Sequence, residues 1–433
     1  MLSRSKRPLF GYILLLFSTL IQAETSGRLN LNADLNENTH GMNLRQAINK
    51  TFEHNPALKS LHHQLRAQQG LELQAGFAAS PELDFVVEDA LGTGDFKGMD
   101  MAQATLGISW VVEGEIRQSF IDEAHAGTLS LSTEENIKRL DAAAETARLY
   151  LICLSHQARM INADNTLKLA SETVSAVHKR VIAGKAPEAE LARAEAELAK
   201  KQLDREALDH QLNSAIHLLA AQWGVTQPHF TQVEGDIFRL PTPLSFETLK
   251  NRIEQSPDFL RLLSDKRLRQ AQLTLMQSQS NPQWRVNLGL RHFEFTNDQA
   301  LVAGISIPFG ERTQNTGRIS AARERISQTH ALQDELRVRI QTTLFVLSQQ
   351  LQHSIHRVDA YQEQIIPRLE AAFKQTRQAY EMGRYSYLEW RSVQAELLDA
   401  RTSLIEDSID ARLKMIEIER LTGIPVTRPA DNR

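Results

Sequence analysis

The sequence contains only one cysteine, Cys153, among 433 residues. A single cysteine cannot form a disulfide bond within the chain, and none stands directly after the amino-terminal apolar run to carry a lipid. The net charge is only −4, which gives no general attraction to nucleic acid, so no nucleic-acid partner is expected. Aromatic residues make up 6% and charged residues 24%, a balance more typical of long solvated helices than of a compact enzyme.

Long hydrophobic runs are also missing. Beyond residue 23 no apolar stretch reaches 18 residues, so no transmembrane helix is expected there. The one long apolar run, Leu9–Ile21, follows three basic residues and precedes Ala23, an order typical of a secretory signal peptide. We therefore predict a signal peptide over residues 1–23, with an uncleaved anchor helix as the alternative, and then a tail over 24–41.

Helix breakers are nearly absent from two stretches, about 116–180 and 316–380, where the exceptions are Gly127, Gly317 and Pro367. Apolar residues recur three and four positions apart in both stretches. Each stretch therefore predicts a helix of roughly 100 Å, which buries its apolar stripe in coiled-coil packing.

Prolines divide the remaining segments. Helical spacing over 44–79 and over 246–280 stops just before Pro81 and Pro282, as expected because a residue before proline disfavours the helix. Beyond each proline the apolar period becomes two, and each half of the chain contains two such segments. This pattern predicts four strands of about nine to eleven residues.

These strands have one apolar face and one polar or small face. The alternation suits a membrane barrel, and it equally suits a soluble half-buried hairpin. Because an open sheet edge cannot face lipid, the membrane interpretation requires several chains. We assign to lipid Trp110, Trp284, Val286, Leu288, Ile305 and Ile307, and to the lumen Arg285, Asn287, Gly289, Gly304 and Ser306.

Glycines recur at a fixed offset. Gly184 and Gly383 are 199 residues apart, and so are Gly224 and Gly423. The sequence GKAPEAELARAEAEL that begins at the first glycine returns as GRYSYLEWRSVQAEL at the second. We therefore predict two tandem repeats, over residues 42–225 and 244–424, joined by a linker over 226–243. A C-terminal tail over 425–433 follows the second repeat.

The repeated pattern resembles the outer-membrane efflux protein family, the TolC-like channels. The resemblance is carried by the two GIS strands, by the two G-[KR]-x-x-x-x-E turns, and by the proline pairs Asn55-Pro56, Ser80-Pro81, Ser256-Pro257 and Asn281-Pro282. It extends over about 42–424. The segments MNLRQAINKTFEHNPAL, GTGDFKGMD and YEMGRYSYLEW are most similar to the CzcC-like outer-membrane subunits of tripartite cation exporters.

The resemblance implies a mainly α fold with a small β part, built from a tandem-duplicated helix-hairpin-helix unit. It implies a homotrimer in the outer membrane of a Gram-negative bacterium, in which four strands per chain form one twelve-stranded barrel above a periplasmic helical tube. It further implies that divalent cations pass from an inner-membrane RND-type pump and a periplasmic adaptor to the exterior. Multidrug export and a soluble periplasmic coiled-coil protein are the alternatives.

The resemblance also implies that the adaptor contacts the hairpin turns at Gly184, Lys185, Gly383 and Arg384. Either glycine can adopt φ > 0 to end a long helix. Alternatively, Lys185 and Arg384 simply follow the end of a helix and their side chains contact only water.

The sequence contains only weak matches to cofactor-binding, metal-binding and catalytic motifs. Gly92 and Gly94 begin a glycine series with the wrong spacing for a dinucleotide site. His353 and His356 could share a helix face but have no acidic or thiol partner at ligand spacing, and Cys153 lies in an apolar run typical of a core. We predict neither an enzyme nor a cofactor or metal site. A hydrated loop or a cation-friendly rim are the alternatives for the acidic residues Asp84, Glu88, Asp89 and Asp95.

Overall fold

A computed structural model describes residues 41–240, 242–308 and 315–424 of the chain. The predicted signal peptide over 1–23, the tail up to residue 40 and the C-terminal tail over 425–433 lie outside these ranges. Within them the chain is mainly helical, with one antiparallel sheet of four strands. The predicted fold class, mainly α with a small β part, is confirmed.

The first half of the chain consists of two helices, two strands and two further helices. They are α1 (Leu44–His54), α2 (Pro56–Ala75), β1 (Glu82–Glu88), β2 (Gln103–Val112), α3 (Glu115–Ile182) and α4 (Glu188–Ala221). α3 has 68 residues, which corresponds to about 100 Å at the helical rise. The long helix predicted over 116–180 is therefore confirmed.

The single helix predicted over 44–79 is wrong in two respects. Asn55 separates α1 from α2, because Pro56 has no N–H and keeps the residue before it out of the helical region, with ψ of 121° at Asn55. The Asn55 side chain then accepts hydrogen bonds of 2.9 and 3.1 Å from the first turn of α2 and caps it. At its other end α2 stops at Ala75, several residues before Pro81.

The second half repeats this order with short interruptions. It contains α5 (Phe246–Lys250), α6 (Pro257–Ser278), β3 (Trp284–Phe293), β4 (Asp298–Ser306), α7 (Thr316–Ala360), α8 (Ile366–Glu381) and α9 (Tyr387–Thr422). The helix predicted over 246–280 is divided at Ser256, whose hydroxyl caps α6 just as Asn55 caps α2.

A single π-helical turn, Tyr361–Ile365, joins α7 to α8. It directly precedes Pro367, which lacks the N–H that an α-helix needs and whose ring crowds the preceding turn. The helix predicted over 316–380 therefore continues through this point but widens for one turn.

The four strands form one sheet in the order β1-β2-β3-β4, and each neighbouring pair is antiparallel. β1–β2 and β3–β4 are hairpins, and they meet where β2 pairs with β3. β1 has seven residues and is shorter than predicted, because the backbone turns at Asp89, where φ is 58°. Both strands of each hairpin connect to helices at the end opposite the hairpin loop, so the loops lie at the end of the sheet remote from the helices.

The helices pack around three apolar clusters. One surrounds Leu154 and Leu219, the second surrounds Leu344 and Leu351, and the third surrounds Trp390. The segment between the two halves lies against the first cluster, where Arg412 of α9 donates hydrogen bonds to carbonyl groups over 236–239. None of the helices in the described ranges combines the length with the hydropathy that a membrane-spanning helix requires.

Candidate functional site

The two long helical hairpins, formed by α3 with α4 and by α8 with α9, end in turns of the same type. Gly184 has φ of 65°, and the N–H groups of Gly184 and Lys185 donate to the last turn of α3 at 2.9 and 2.8 Å. Gly383 has φ of 78°, and the N–H groups of Gly383 and Arg384 donate to the last turn of α8 at the same distances. This is the Schellman motif, in which glycine takes the left-handed conformation without a Cβ penalty. Lys185 and Arg384 are both exposed.

Arg180 joins the two turns. Its guanidinium donates to the carbonyl oxygen of Lys185 in its own hairpin, at 3.2 Å, and to that of Tyr380 in the other hairpin. The same group lies over the Tyr380 ring, 4.5 Å from its centroid. The Arg180 guanidinium therefore makes charge-assisted hydrogen bonds and a cation–π contact at the same time. These contacts join the two hairpin ends, which we call the tips.

A buried aromatic cluster lies directly behind the turns. Trp390 is 1% exposed, and its ring centroid is 5.0 Å from that of Tyr380 and 6.5 Å from that of Phe373. Burial raises the pKa of Tyr380 to about 12, and the nearby Glu190 carboxylate acts in the same direction. Sequence reasoning missed this cluster, although the density of aromatic residues in YEMGRYSYLEW stands out in a chain with 6% aromatic residues.

Two ion pairs also cross between the hairpins. Arg377 of α8 contacts Glu172 of α3 at 2.8 Å, and Arg391 of α9 contacts Glu197 of α4 at 3.1 Å. All four side chains are about one third or more exposed, with the lowest exposure, 31%, at Glu197. Exposed pairs of this kind contribute about 0–1 kcal/mol each, so the aromatic cluster is the stronger connection.

The apolar residues assigned to lipid lie on one face of the sheet. Trp110, Val286 and Ile305 are cross-strand neighbours in register, and Trp284 and Leu288 share their side of β3. Ile307, the sixth, follows the end of β4. The exposed fractions of Trp284, Leu288 and Ile305 are 49%, 47% and 65%. An apolar surface this exposed indicates a contact with lipid or with another chain.

The opposite face carries the five residues assigned to the lumen. Arg285, Asn287 and Gly289 alternate along β3, and Gly304 and Ser306 lie beside them on β4. A Cβ added at Gly304 would lie 2.4 Å from Oδ1 of Asn287. A larger residue at this position would therefore force the Asn287 amide to move.

Arg291, which sequence reasoning did not single out, organises the hairpin end of this polar face. Its guanidinium pairs with Glu88 at 2.7 Å and donates to Oε1 of Gln103 at 3.1 Å. The Gln103 amide in turn donates to the Asp89 carboxylate at 2.8 Å. Glu88 and Asp89, two members of the acidic group considered as a rim, thus take part in a network with their own chain.

Residues suited to chemistry are dispersed. No group of three or more His, Cys, Asp or Glu side chains that could hold a metal ion occurs in the part of the chain that the structure describes. Cys153 is completely buried, and burial raises the pKa of its thiol to about 12, so the reactive thiolate is scarcely populated at neutral pH. His353 and His356 are exposed on α7.

Comparison with known proteins gives related sequences over most of the chain. Residues 47–225 match the family model described as outer membrane efflux protein. The cobalt-zinc-cadmium resistance protein CzcC of Cupriavidus metallidurans is 27% identical over 364 residues, which are 83% of this chain and 85% of that protein. The nickel and cobalt resistance protein CnrC of the same bacterium is 26% identical over 65% of this chain and 67% of its own length.

Solved channel structures share the fold. The CusC structure superposes with a TM-score of 0.72 at 15% identity, covering 88% of this chain and 91% of that chain. The outer membrane protein VceC of Vibrio cholerae superposes with a TM-score of 0.68 at 17% identity, covering 88% and 95%. The chain thus matches the outer membrane efflux protein model over residues 47–225, aligns with metal-resistance relatives over much of its length and shares the fold of solved channel structures.

Proposed function

We propose that this chain is the outer-membrane channel subunit of a tripartite efflux system for divalent metal cations. Cations pass through it passively, from an inner-membrane RND-type pump and a periplasmic adaptor to the cell exterior. The observation that carries the proposal is a sheet with one exposed apolar face and one polar face, continued by helices about 100 Å long. No catalytic role is part of it.

The open edges of the sheet support assembly of several chains, and the family resemblance makes that assembly a homotrimer. Each backbone group left unpaired at an edge costs several kcal/mol in hydrocarbon, and four strands are too few to close a barrel. Three copies supply twelve strands, with β1 of one protomer beside β4 of the next. The apolar face then contacts outer-membrane lipid, and the polar face with Arg285, Asn287 and Gly289 lines the lumen.

Duplication gives this assembly six similar units around its axis. The order of helices and strands recurs in both halves, and Gly224 and Gly423, at the common offset, both have positive φ, of 77° and 70°. This recurrence supports repeats over 42–225 and 244–424 with a linker over 226–243. The signal peptide over 1–23 stays a prediction of the sequence.

The joined tips are the proposed contact with the adaptor. The bases Lys185 and Arg384 are exposed there, beside Ile182, Met382 and Leu388, which are 74%, 66% and 62% exposed. Exposed apolar side chains next to the basic residues are more typical of a surface that contacts another protein than of a helix end that contacts only water.

The metal cargo is proposed from relatives. Three of them are named for resistance to cobalt, zinc and cadmium, to nickel and cobalt, and to nickel, cobalt and cadmium. A wide lumen lined by polar and small residues such as Asn287, Gly289 and Gly304 does not enclose one solute, so selection among these ions is assigned to the pump and the adaptor.

Deleting the gene tests the cargo. We expect the deletion strain to become sensitive to zinc, cobalt, cadmium, copper or silver, and to keep its tolerance of detergents, dyes and hydrophobic antibiotics. Growth across concentration series of both classes measures this, with the gene restored on a plasmid as the control. Unchanged metal tolerance with raised dye sensitivity would assign the channel to drug export instead.

Substituting Gly383 tests the tip. Gly383→Val places a β-branched residue at φ of 78°, which costs about 1–3 kcal/mol. We expect trimers to form while metal export and cross-linking to the adaptor fall. Gly317→Val is the matched control, because Gly317 lies in α7 and an added Cβ there meets nothing within 4 Å. Full export by both Gly383→Val and Gly184→Val would remove the tips as the docking surface.

A further inference from the structure

The loop between β1 and β2, residues 89–102, has a closed shape of its own. The Leu91 N–H donates to the Gly98 carbonyl at 2.7 Å, and the Gly92 N–H donates to the Phe96 carbonyl at 2.8 Å. Asp89 and Leu91 have φ of 58° and 60°, in the left-handed region that residues with side chains rarely adopt. Such strain persists only where surrounding bonds hold the conformation, so the loop keeps a specific fold.

Side-chain bonds attach the base of this loop to the polar face of the sheet. Gln103 is the first residue of β2 and lies on that face, where it receives a hydrogen bond from Arg291. Its amide donates to the Asp89 carboxylate at 2.8 Å. The loop therefore begins over the polar face rather than over the apolar one.

A crevice of about 200 Å³ lies at the same place. Its apolar lining includes Phe96 from the loop together with Met101, Phe293 and Phe295, and its polar lining is Asp89, Gln103 and Thr296. Phe293 pairs in register with Gln103 and is on the side of β3 that carries Arg291, since residues two apart on a strand share a face. Three aromatic residues thus line one crevice at the hairpin end of a face whose other residues are mostly polar or small, with Val86, Val111 and Val302 as the exceptions.

We propose that Phe96, Met101, Phe293 and Phe295 form an apolar collar that limits the size of solutes passing the outer mouth of the channel. The inference rests on the proposed function, because the polar face lines a lumen only in a closed barrel. The hairpin loops lie at the end of the sheet remote from the helices. In the proposed trimer, the four residues of each of three protomers would therefore surround the axis at the exterior side and form one collar. The bulk of these side chains narrows the opening, so hydrated cations pass and bulky solutes are slowed.

A cysteine placed inside the collar measures passage from outside. Asp84 is exposed on the polar face of β1, nearer the helices than Glu88. The full-length chain with Asp84→Cys carries one reactive thiol, because Cys153 is completely buried. Intact cells are treated with a small sulfonated maleimide and, separately, with a polyethylene glycol maleimide too large for general porins.

The variant Phe96→Ala is then added to Asp84→Cys. We expect the polymeric reagent to label this double variant several-fold faster than Asp84→Cys alone, while the rate with the small reagent changes little. Met99→Ala is the matched control, because Met99 lies in the same loop, is 51% exposed and does not line the crevice. It should leave both rates unchanged.

The outcomes separate the collar from the channel. If the small reagent labels Asp84→Cys but Phe96→Ala does not increase the rate of labelling by the polymeric reagent, the proposed collar is wrong. The polar face would still line a channel lumen in that case. Equal acceleration by Phe96→Ala and Met99→Ala also overturns it, because the loop as a whole would then be the barrier. If neither reagent labels the cysteine in any variant, the polar face does not line a passage open to the exterior, and the proposed function fails with the collar.

Discussion

Trp390→Ala is expected to destabilise the joined tips by about 3–5 kcal/mol, the usual cost of removing a large buried aromatic side chain. Trp390 is 1% exposed and lies against Tyr380, whose ring centroid is 5.0 Å away. Its cluster also includes Val177 and Ala194 of the other hairpin. The cavity would therefore open between the two hairpins, and their connection would depend more on the ion pairs, the Arg180 contacts and the hydrogen bond of 3.4 Å from the Tyr380 hydroxyl to Glu190.

Hydrogen exchange on the detergent-solubilised full-length protein measures this effect locally. Amides over 174–194 and 373–397 should exchange faster in Trp390→Ala, while those of the sheet keep their protection. Tyr385→Ala is the matched control, because Tyr385 lies in the same turn and is 45% exposed. Similar exchange in the two variants would mean that the aromatic cluster does not connect the tips.

The parts of this molecule that sequence predicts well depend on local requirements. Gly184 and Gly383 were expected to end helices because the left-handed conformation is a property of one residue and its neighbours, and both have positive φ. Alternation in β3 placed Val286 and Asn287 on opposite faces for a similar reason, since successive side chains of a strand point to opposite sides.

The parts that sequence missed depend on contacts between distant residues. Arg180 and Tyr380 are 200 positions apart, and nothing in either local sequence indicates that a guanidinium will lie over that ring. Arg291 likewise reaches Glu88 across an intervening strand. The sequence shows Pro367, but whether the helix breaks or widens there depends on its packing against neighbouring helices. The structure has a π-helical turn at this point.

Leu288→Lys is expected to reduce outer-membrane assembly strongly. Leu288 lies near the middle of β3, between Ile108 on β2 and Ala303 on β4, and is 47% exposed on the apolar face. A lysine that faces lipid at the bilayer midplane costs about 2–4 kcal/mol in a barrel, and the cost falls toward the interfaces. In the proposed trimer three copies of the substitution are present, so the loss of assembled channel should be large.

Asn287→Lys is the matched control for this change, because the neighbouring residue of the same strand points to the polar face. There Asn287 lies between Ser109 and Gly304, and a lysine ammonium would stay in water. The yield of assembled trimer in purified outer membranes measures both variants. A low yield for Leu288→Lys beside a near-normal yield for Asn287→Lys is expected if the apolar face contacts lipid. Equal yields would contradict that orientation, because a soluble hairpin with both faces in water would accept a lysine at either position.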